Sequence, residues 1–126
     1  MRTILSATAA AAVCLLHVSD TSAQYRPSIV GQWFSQLDAE NSMTLWFYPD
    51  SRYQALAATT GRTRVRLECN GQYRFDGQYV RLIGATSRCS QCSLFCQPMP
   101  AQDSGGPVEI YPGYMMYNGV RYGRLR

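Results

Sequence analysis

The clearest indication of secondary structure in the chain is Gly71-Gln72-Tyr73-Arg74-Phe75-Asp76-Gly77-Gln78-Tyr79-Val80-Arg81-Leu82. Two apolar runs flank its Asp-Gly pair, which tolerates the positive φ angles that a tight β-hairpin turn requires. After the turn, Val80 and Leu82 alternate with Arg81, as in a strand with one buried face. This stretch therefore predicts two antiparallel strands joined by a tight turn.

The same features recur along most of the chain after Pro27. Asn118-Gly119 predicts a second tight hairpin, and Asn70-Gly71 predicts either a hairpin or a bulge inside one long strand. We expect further strands over residues 31–37, 43–48, 53–60, 62–67, 108–111, 114–117 and 120–125. Many short strands indicate a barrel or a sandwich, and closure removes exposed edges. We therefore expect an all-β fold, a single up-and-down antiparallel β-barrel of about eight strands.

Residues 1–23 have the composition of a secretory signal peptide. Arg2 precedes an Ala/Leu-rich run over residues 4–18, and small residues at Thr21 and Ala23 suit a cleavage site after Ala23. The apolar run is shorter than the roughly 20 residues that a membrane-spanning helix needs. We therefore expect a signal peptide over residues 1–23 and one β-barrel domain over residues 24–126. The protein would be exported to the periplasm or the extracellular space, with no stable membrane insertion after processing.

The composition of the expected mature domain argues against an enzyme. The chain has no Lys, and its single His, His17, lies in the signal segment. The commonest general base, the commonest metal ligand and the Schiff-base nucleophile are therefore missing. Ser104 lies in a segment similar to that around a serine-protease nucleophile, but that chemistry needs a His. We expect no enzymatic activity, no cofactor, no metal and no nucleic-acid partner.

Four cysteines follow the expected cleavage site: Cys69, Cys89, Cys92 and Cys96. In an exported chain an even number of cysteines predicts disulfides, here two bonds with three possible connectivities. A four-thiolate metal site and a redox-active Cys-x-x-Cys are the alternatives, since Cys89 and Cys92 have the spacing for either. We expect disulfides, which would staple residues 87–107 as a loop inserted into the strand meander.

Three short motifs, Gly31-Gln32-Trp33, residues 45–53 and residues 71–82, together resemble small bacterial lipocalin-like barrels of the calycin type. Ser51 stands where the corresponding hairpin usually has Gly. The resemblance implies that Trp33 plugs one end of the barrel and that an arginine near the chain end, Arg121 or Arg124, stacks on it. The chain is shorter than a full lipocalin and lacks a Thr-Asp-x-x-Tyr motif, so we expect no deep ligand cup.

An arginine row is the clearest charge pattern. Arg62, Arg64 and Arg66 alternate with less polar residues, which places all three on one face of a strand. One interpretation is a solvated face whose charges are paired with Glu68, which continues that face, and with Asp76 or Glu109 on a neighbouring strand. The other is a contact for an acidic glycan or protein surface.

Two classes of function remain open. The first is a small exported binding module whose ligand is an apolar molecule, a glycan or an envelope component. The second is a protein-interaction module, such as an enzyme inhibitor or part of an envelope complex, that uses the arginine row with outward-facing Trp46 and Tyr48. A closed interior of about 300 Å³ or more favours the first class, and a filled interior with an exposed patch of aromatic and Arg side chains favours the second.

Overall fold

The computed structural model describes residues 28–61 and 64–126. The expected signal peptide with its cleavage site, Arg62 and Thr63 all lie outside the described residues. Within that part of the chain every regular element is a β-strand. The strands are β1 Gly31–Gln36, β2 Asn41–Phe47, β3 Arg52–Thr59, β4 Val65–Phe75, β5 Tyr79–Cys92, β6 Cys96–Met99, β7 Ser104–Tyr111, β8 Tyr114–Tyr117 and β9 Val120–Arg124.

Eight of the strands form a closed antiparallel barrel. Each strand from β1 to β5 pairs with the next, β5 then pairs with β7, and β7, β8 and β9 follow in order. The barrel closes between β9 and β1, where Trp33 lies opposite Arg124. Strand β6 pairs only with the last part of β5, outside the ring. The expected all-β, eight-stranded, up-and-down barrel is confirmed, and it is compatible with a lipocalin-like fold.

Both predicted hairpin turns form, and in the first of them Gly77 alone of the Asp-Gly pair has a positive φ. Gly77 has φ +99°, and the Asp76 carboxylate accepts hydrogen bonds from the backbone N–H groups of Gln78 at 2.9 Å and Tyr79 at 2.7 Å. Between β8 and β9, Asn118 and Gly119 have φ values of +52° and +80°. Both hairpins therefore form where the Asp-Gly and Asn-Gly pairs predict them.

Asn70-Gly71 lies inside one continuous strand, β4, next to an irregularity in β5. Asn70 pairs with Arg88 whereas Gln72 pairs with Ile83, so residues 84–87 of β5 bulge opposite Gly71. A Cβ atom on Gly71 would lie 2.7 Å from the Cα of Ser87. Only Gly allows the bulged segment to approach β4 this closely.

The Cys-rich segment differs from the expected loop. Residues 87–92 continue β5, and β6 folds back on them with Cys92 opposite Cys96. All four residues of β6 are exposed, so this strand has no buried face that would impose an alternating apolar pattern. The strand expected over residues 62–67 begins only at Val65 in the described part of the chain.

The core fills one half of the barrel interior. The largest fully buried side chains are those of Trp33, Phe47, Val80 and Met115. Phe47 contacts Tyr73 edge to face, with ring centroids 4.9 Å apart. We call this half the plugged end, because large side chains occupy the interior there.

Candidate functional site

Trp33 closes the plugged end of the barrel. The side chain is fully buried, and its indole Nε1 donates a hydrogen bond of 2.8 Å to the carbonyl oxygen of Ile29. The guanidinium of Arg124 lies 4.2 Å from the ring centroid of Trp33. Arg124 also donates hydrogen bonds to the carbonyl oxygens of Val30 at 2.9 Å and Ser28 at 2.7 Å. This cap fixes the residues before β1 across the barrel end.

The structure thus places Arg124, rather than Arg121, over Trp33. Arg121 lies on the outer surface, where its guanidinium is 4.1 Å from the ring centroid of Tyr114. The two arginines differ by three positions in a strand, so their side chains point to opposite faces of β9.

The other half of the barrel contains a cavity of about 420 Å³ that opens to solvent. On β3 the inward-facing side chains shrink from Tyr53 to Ala55 and Ala57, which leaves this half unfilled. Its other lining residues are Met43, Leu45, Leu67, Cys69, Leu82, Cys89, Pro100, Ala101, Gln102, Ser104, Gly105, Tyr117, Asn118, Val120 and Tyr122. We call this space the barrel cavity.

The barrel cavity is apolar with phenolic groups on its wall. Burial, together with the neighbouring tyrosines, raises the pKa of Tyr117 to about 12. Burial also raises the pKa of Tyr122, and the Tyr53 hydroxyl shares a hydrogen bond of 2.7 Å with Ser87. The described lining residues include no Asp, Glu, Lys or Arg. The wall therefore offers apolar contact and neutral hydroxyl groups but no formal charge.

The two disulfides have different positions relative to the cavity. Cys69 and Cys89 lie opposite each other on β4 and β5, are bonded, and contribute to the cavity wall. Cys92 and Cys96 are bonded across the β5–β6 hairpin. The prediction of two disulfides is confirmed, and the structure selects one of the three connectivities. Among the described residues there is no group of three or more His, Cys, Asp or Glu side chains that could hold a metal ion.

The structure describes part of the arginine row. Arg66 is exposed on β4 and lies 3.7 Å from the Glu68 carboxylate, while Arg64 is exposed just before the strand. Arg62 is outside the described residues. Asp76 lies in the β4–β5 turn, and Glu109 accepts a hydrogen bond from the Tyr111 hydroxyl, so neither carboxylate faces Arg66.

Trp46 and Tyr48 point outward from β2 but do not adjoin Arg66. Trp46 lies opposite Gln54 on β3, whereas Arg66 lies opposite Ala58, four residues further along that strand. Four residues span about 13 Å of strand. Tyr48 instead donates a hydrogen bond of 2.9 Å to Gln54 and stacks with Arg52. The arginine row and the outward aromatic residues thus form separate surfaces.

Sequence reasoning missed the most exposed large apolar side chains in the described part of the chain. Leu94 and Phe95 are 92% and 79% exposed, between the two cysteines that close the β5–β6 hairpin. We call residues 92–96 the hairpin tip. Its sequence signal is a pair of large apolar residues between two cysteines only four positions apart.

Comparison with protein-family models, curated proteins and solved structures finds no match for the chain. The two disulfides are consistent with an oxidising, exported environment. In the part of the chain that the structure describes, no helix has the length and apolarity to span a membrane.

Proposed function

We propose that the protein is a small exported binding module of the lipocalin-like type that holds an uncharged, apolar small molecule in the barrel cavity. The observation that carries this proposal is the unfilled half of the barrel. Its volume of about 420 Å³ lies within the range of about 300–1,000 Å³ that is typical of small-molecule sites.

The chemistry of the wall supports an uncharged ligand. A charged group entering an apolar interior loses its hydration and needs an opposite charge to compensate. No described lining residue supplies one. Tyr117 and Tyr122 remain protonated at neutral pH because burial raises their pKa values. Their hydroxyl groups are available as neutral hydrogen-bonding groups that orient a mainly apolar molecule.

Disulfide bonding and the composition of residues 1–23 support export, to the periplasm or the extracellular space. In such a compartment a barrel with an apolar interior can carry a molecule that is poorly soluble in water. The Trp33 cap closes the plugged end, so the ligand would enter and leave through the open end.

The test is a titration with N-phenyl-1-naphthylamine, an uncharged apolar dye whose fluorescence rises in an apolar site. We expect saturable binding at one site per molecule. Ala57→Phe places a ring in the cavity and should weaken binding at least tenfold. Ala58→Phe is the matched control, because Ala58 is the next residue and points to the outside of the barrel.

Equal dye binding by the Ala57→Phe and Ala58→Phe variants would contradict the proposal, as would the absence of saturable binding to the wild type. Circular dichroism should show that both variants keep the β-sheet spectrum of the wild type. Native mass spectrometry of the protein purified from its exported fraction would then report the mass of any natural ligand.

A further inference from the structure

The hairpin tip holds two large apolar side chains in water. Leu94 and Phe95 are the most exposed large apolar residues in the described part of the chain, at 92% and 79%. The disulfide between Cys92 and Cys96 closes the tip directly behind them. This crosslink limits the freedom of the tip to fold back and cover its apolar side chains. Apolar groups that stay exposed in this way mark a contact surface.

Two exposed arginines lie near the base of the hairpin tip. Arg66 on β4 lies directly opposite Cys92, and exposed Arg64 precedes it at the same end of the strand. Carboxylates also lie near these arginines: that of Glu68 is 3.7 Å from Arg66, and that of Glu40 lies beside Gly61. The tip therefore combines apolar side chains with two arginines at its base.

The hairpin tip lies on the side of the open end of the barrel. Leu67 lines the barrel cavity and directly follows Arg66. Cys89 also lines the cavity and comes three residues before Cys92. Pro100 comes directly after β6 and also lines the cavity. Contact through the tip would therefore bring the mouth of the cavity close to the contacted surface.

We propose that the hairpin tip binds the surface of an anionic lipid bilayer. Leu94 and Phe95 enter the interface between head groups and acyl chains, and Arg64 and Arg66 face the lipid phosphates. Apolar insertion and attraction of basic residues to anionic lipids are the two contributions that hold peripheral proteins at membranes. The contact is peripheral and reversible, because only two side chains insert.

A lipid surface fits the tip better than a protein surface does. Each partner of a stable protein interface buries about 800 Å², of which two side chains on a convex tip supply only a fraction. Lipids rearrange around a protruding tip and need no preformed pocket. The inference does not depend on ligand binding in the cavity, although a docked tip would let an apolar molecule pass between bilayer and barrel.

The test is flotation of the exported protein with vesicles of phosphatidylcholine and phosphatidylglycerol at 70:30, and with vesicles of phosphatidylcholine alone. We expect binding to the anionic vesicles and at least tenfold weaker partitioning to the uncharged ones. The double variant Leu94→Ser/Phe95→Ser should lose at least tenfold in partitioning to the anionic vesicles. Leu125→Ser is the matched control, since Leu125 is 55% exposed but follows Arg124 at the plugged end.

The variant Arg64→Gln/Arg66→Gln should weaken binding to the anionic vesicles and leave partitioning to uncharged vesicles unchanged. Equal partitioning of the wild type and the Leu94→Ser/Phe95→Ser variant would overturn the proposal. Equal binding to both kinds of vesicle would also overturn it. The absence of binding to either kind would overturn it as well, and would indicate that the tip contacts a protein partner instead. Dye binding in the barrel cavity should be the same in all of these variants, so the two proposals can fail separately.

Discussion

At the residue scale, the contact between Trp33 and Arg124 determines how the plugged end is closed. Trp33 is fully buried among the core side chains, so its removal deletes a large apolar volume that neighbours cannot refill. We expect Trp33→Ala to lower the free energy of unfolding by about 3–5 kcal/mol. Urea denaturation followed by far-ultraviolet circular dichroism measures this. An unchanged midpoint would show that Trp33 does not plug the barrel.

Arg124→Ala should cost less, about 0.5–2 kcal/mol, because it removes one cation–π stack and two hydrogen bonds at a partly exposed site. Arg121→Ala is its control, since Arg121 stacks on Tyr114 at the outer surface. If Arg121→Ala destabilises the protein more than Arg124→Ala does, the assignment of Arg124 as the cap is wrong. The same denaturation experiment measures both variants.

Ser51 adopts a backbone conformation that suits glycine. Its φ angle is +69° in the turn between β2 and β3, at the position where the resembling hairpins usually have Gly. A left-handed conformation costs an ordinary L-residue about 1–2 kcal/mol, which Gly avoids. Part of the gain from substituting Gly is lost, because the unfolded chain has more conformational entropy with Gly than with Ser. Ser51→Gly should therefore raise stability by about 0.5–1 kcal/mol, seen as a higher melting temperature. Gln54→Gly in the adjoining strand should instead lower it.

Tyr117 links stability to alkaline pH. Its pKa is about 12 in the folded protein against 10.0 for an ordinary tyrosine. Between these values the unfolded chain has lost the proton that the folded protein still holds, so stability falls as the pH rises. Below pH 10 this loss is absent. The fall should be about 1 kcal/mol per pH unit from pH 10 to 12.

The Tyr117→Phe variant should show a shallower fall of stability across this pH range. Tyr73 and Tyr122, whose pKa values burial also raises, and Tyr111, whose pKa is raised by its hydrogen bond to Glu109, contribute to the part that remains. In an alkaline titration followed by tyrosinate absorbance, the same variant should have one fewer tyrosine that ionises late. Tyr79→Phe is the control, because Tyr79 is exposed. Identical alkaline titrations of the wild type and Tyr117→Phe would contradict burial of this phenol.

At the element scale, the two disulfides should differ in their contribution to stability. Cys69 and Cys89 are 20 residues apart in sequence, and Cys92 and Cys96 only four. In the chain-entropy model these loops correspond to about 3 and about 2 kcal/mol. We expect Cys69→Ser/Cys89→Ser to lower the unfolding midpoint more than Cys92→Ser/Cys96→Ser. The reverse order would show that the hairpin tip supports the barrel.

The hairpins show what the sequence can predict at this scale and why. Asp76-Gly77 and Asn118-Gly119 mark their turns because positive φ angles are a local requirement that few residues meet. The sequence predicts a loop where the β5–β6 hairpin forms, because β6 is exposed throughout and carries no apolar alternation. The sequence predicts a bulge at Asn70-Gly71 as one of two alternatives, but not that the extra residues lie on β5 at 84–87, since this depends on a close approach of Ser87 to Gly71 on another strand.

At the scale of the whole molecule, barrel closure brings the candidate site together. The large-to-small change from Tyr53 to Ala57 is visible in the sequence, but the cavity also needs Leu82 on β5 and Val120 on β9. These residues come close together only through strand pairings between distant parts of the chain, which a single sequence does not specify. The Trp33 plug was predictable only through the family resemblance, which left Arg121 and Arg124 as alternatives.

The proposed function requires the open half of the barrel to be a ligand cavity. Nuclear Overhauser effects between bound N-phenyl-1-naphthylamine and the methyl groups of the protein show where the dye binds. We predict contacts to Met43, Leu82 and Val120 on the cavity wall, and none to Val80, which is buried at the plugged end. Contacts confined to Leu94 at the hairpin tip or to Leu56 on the outside of the barrel would contradict the claim.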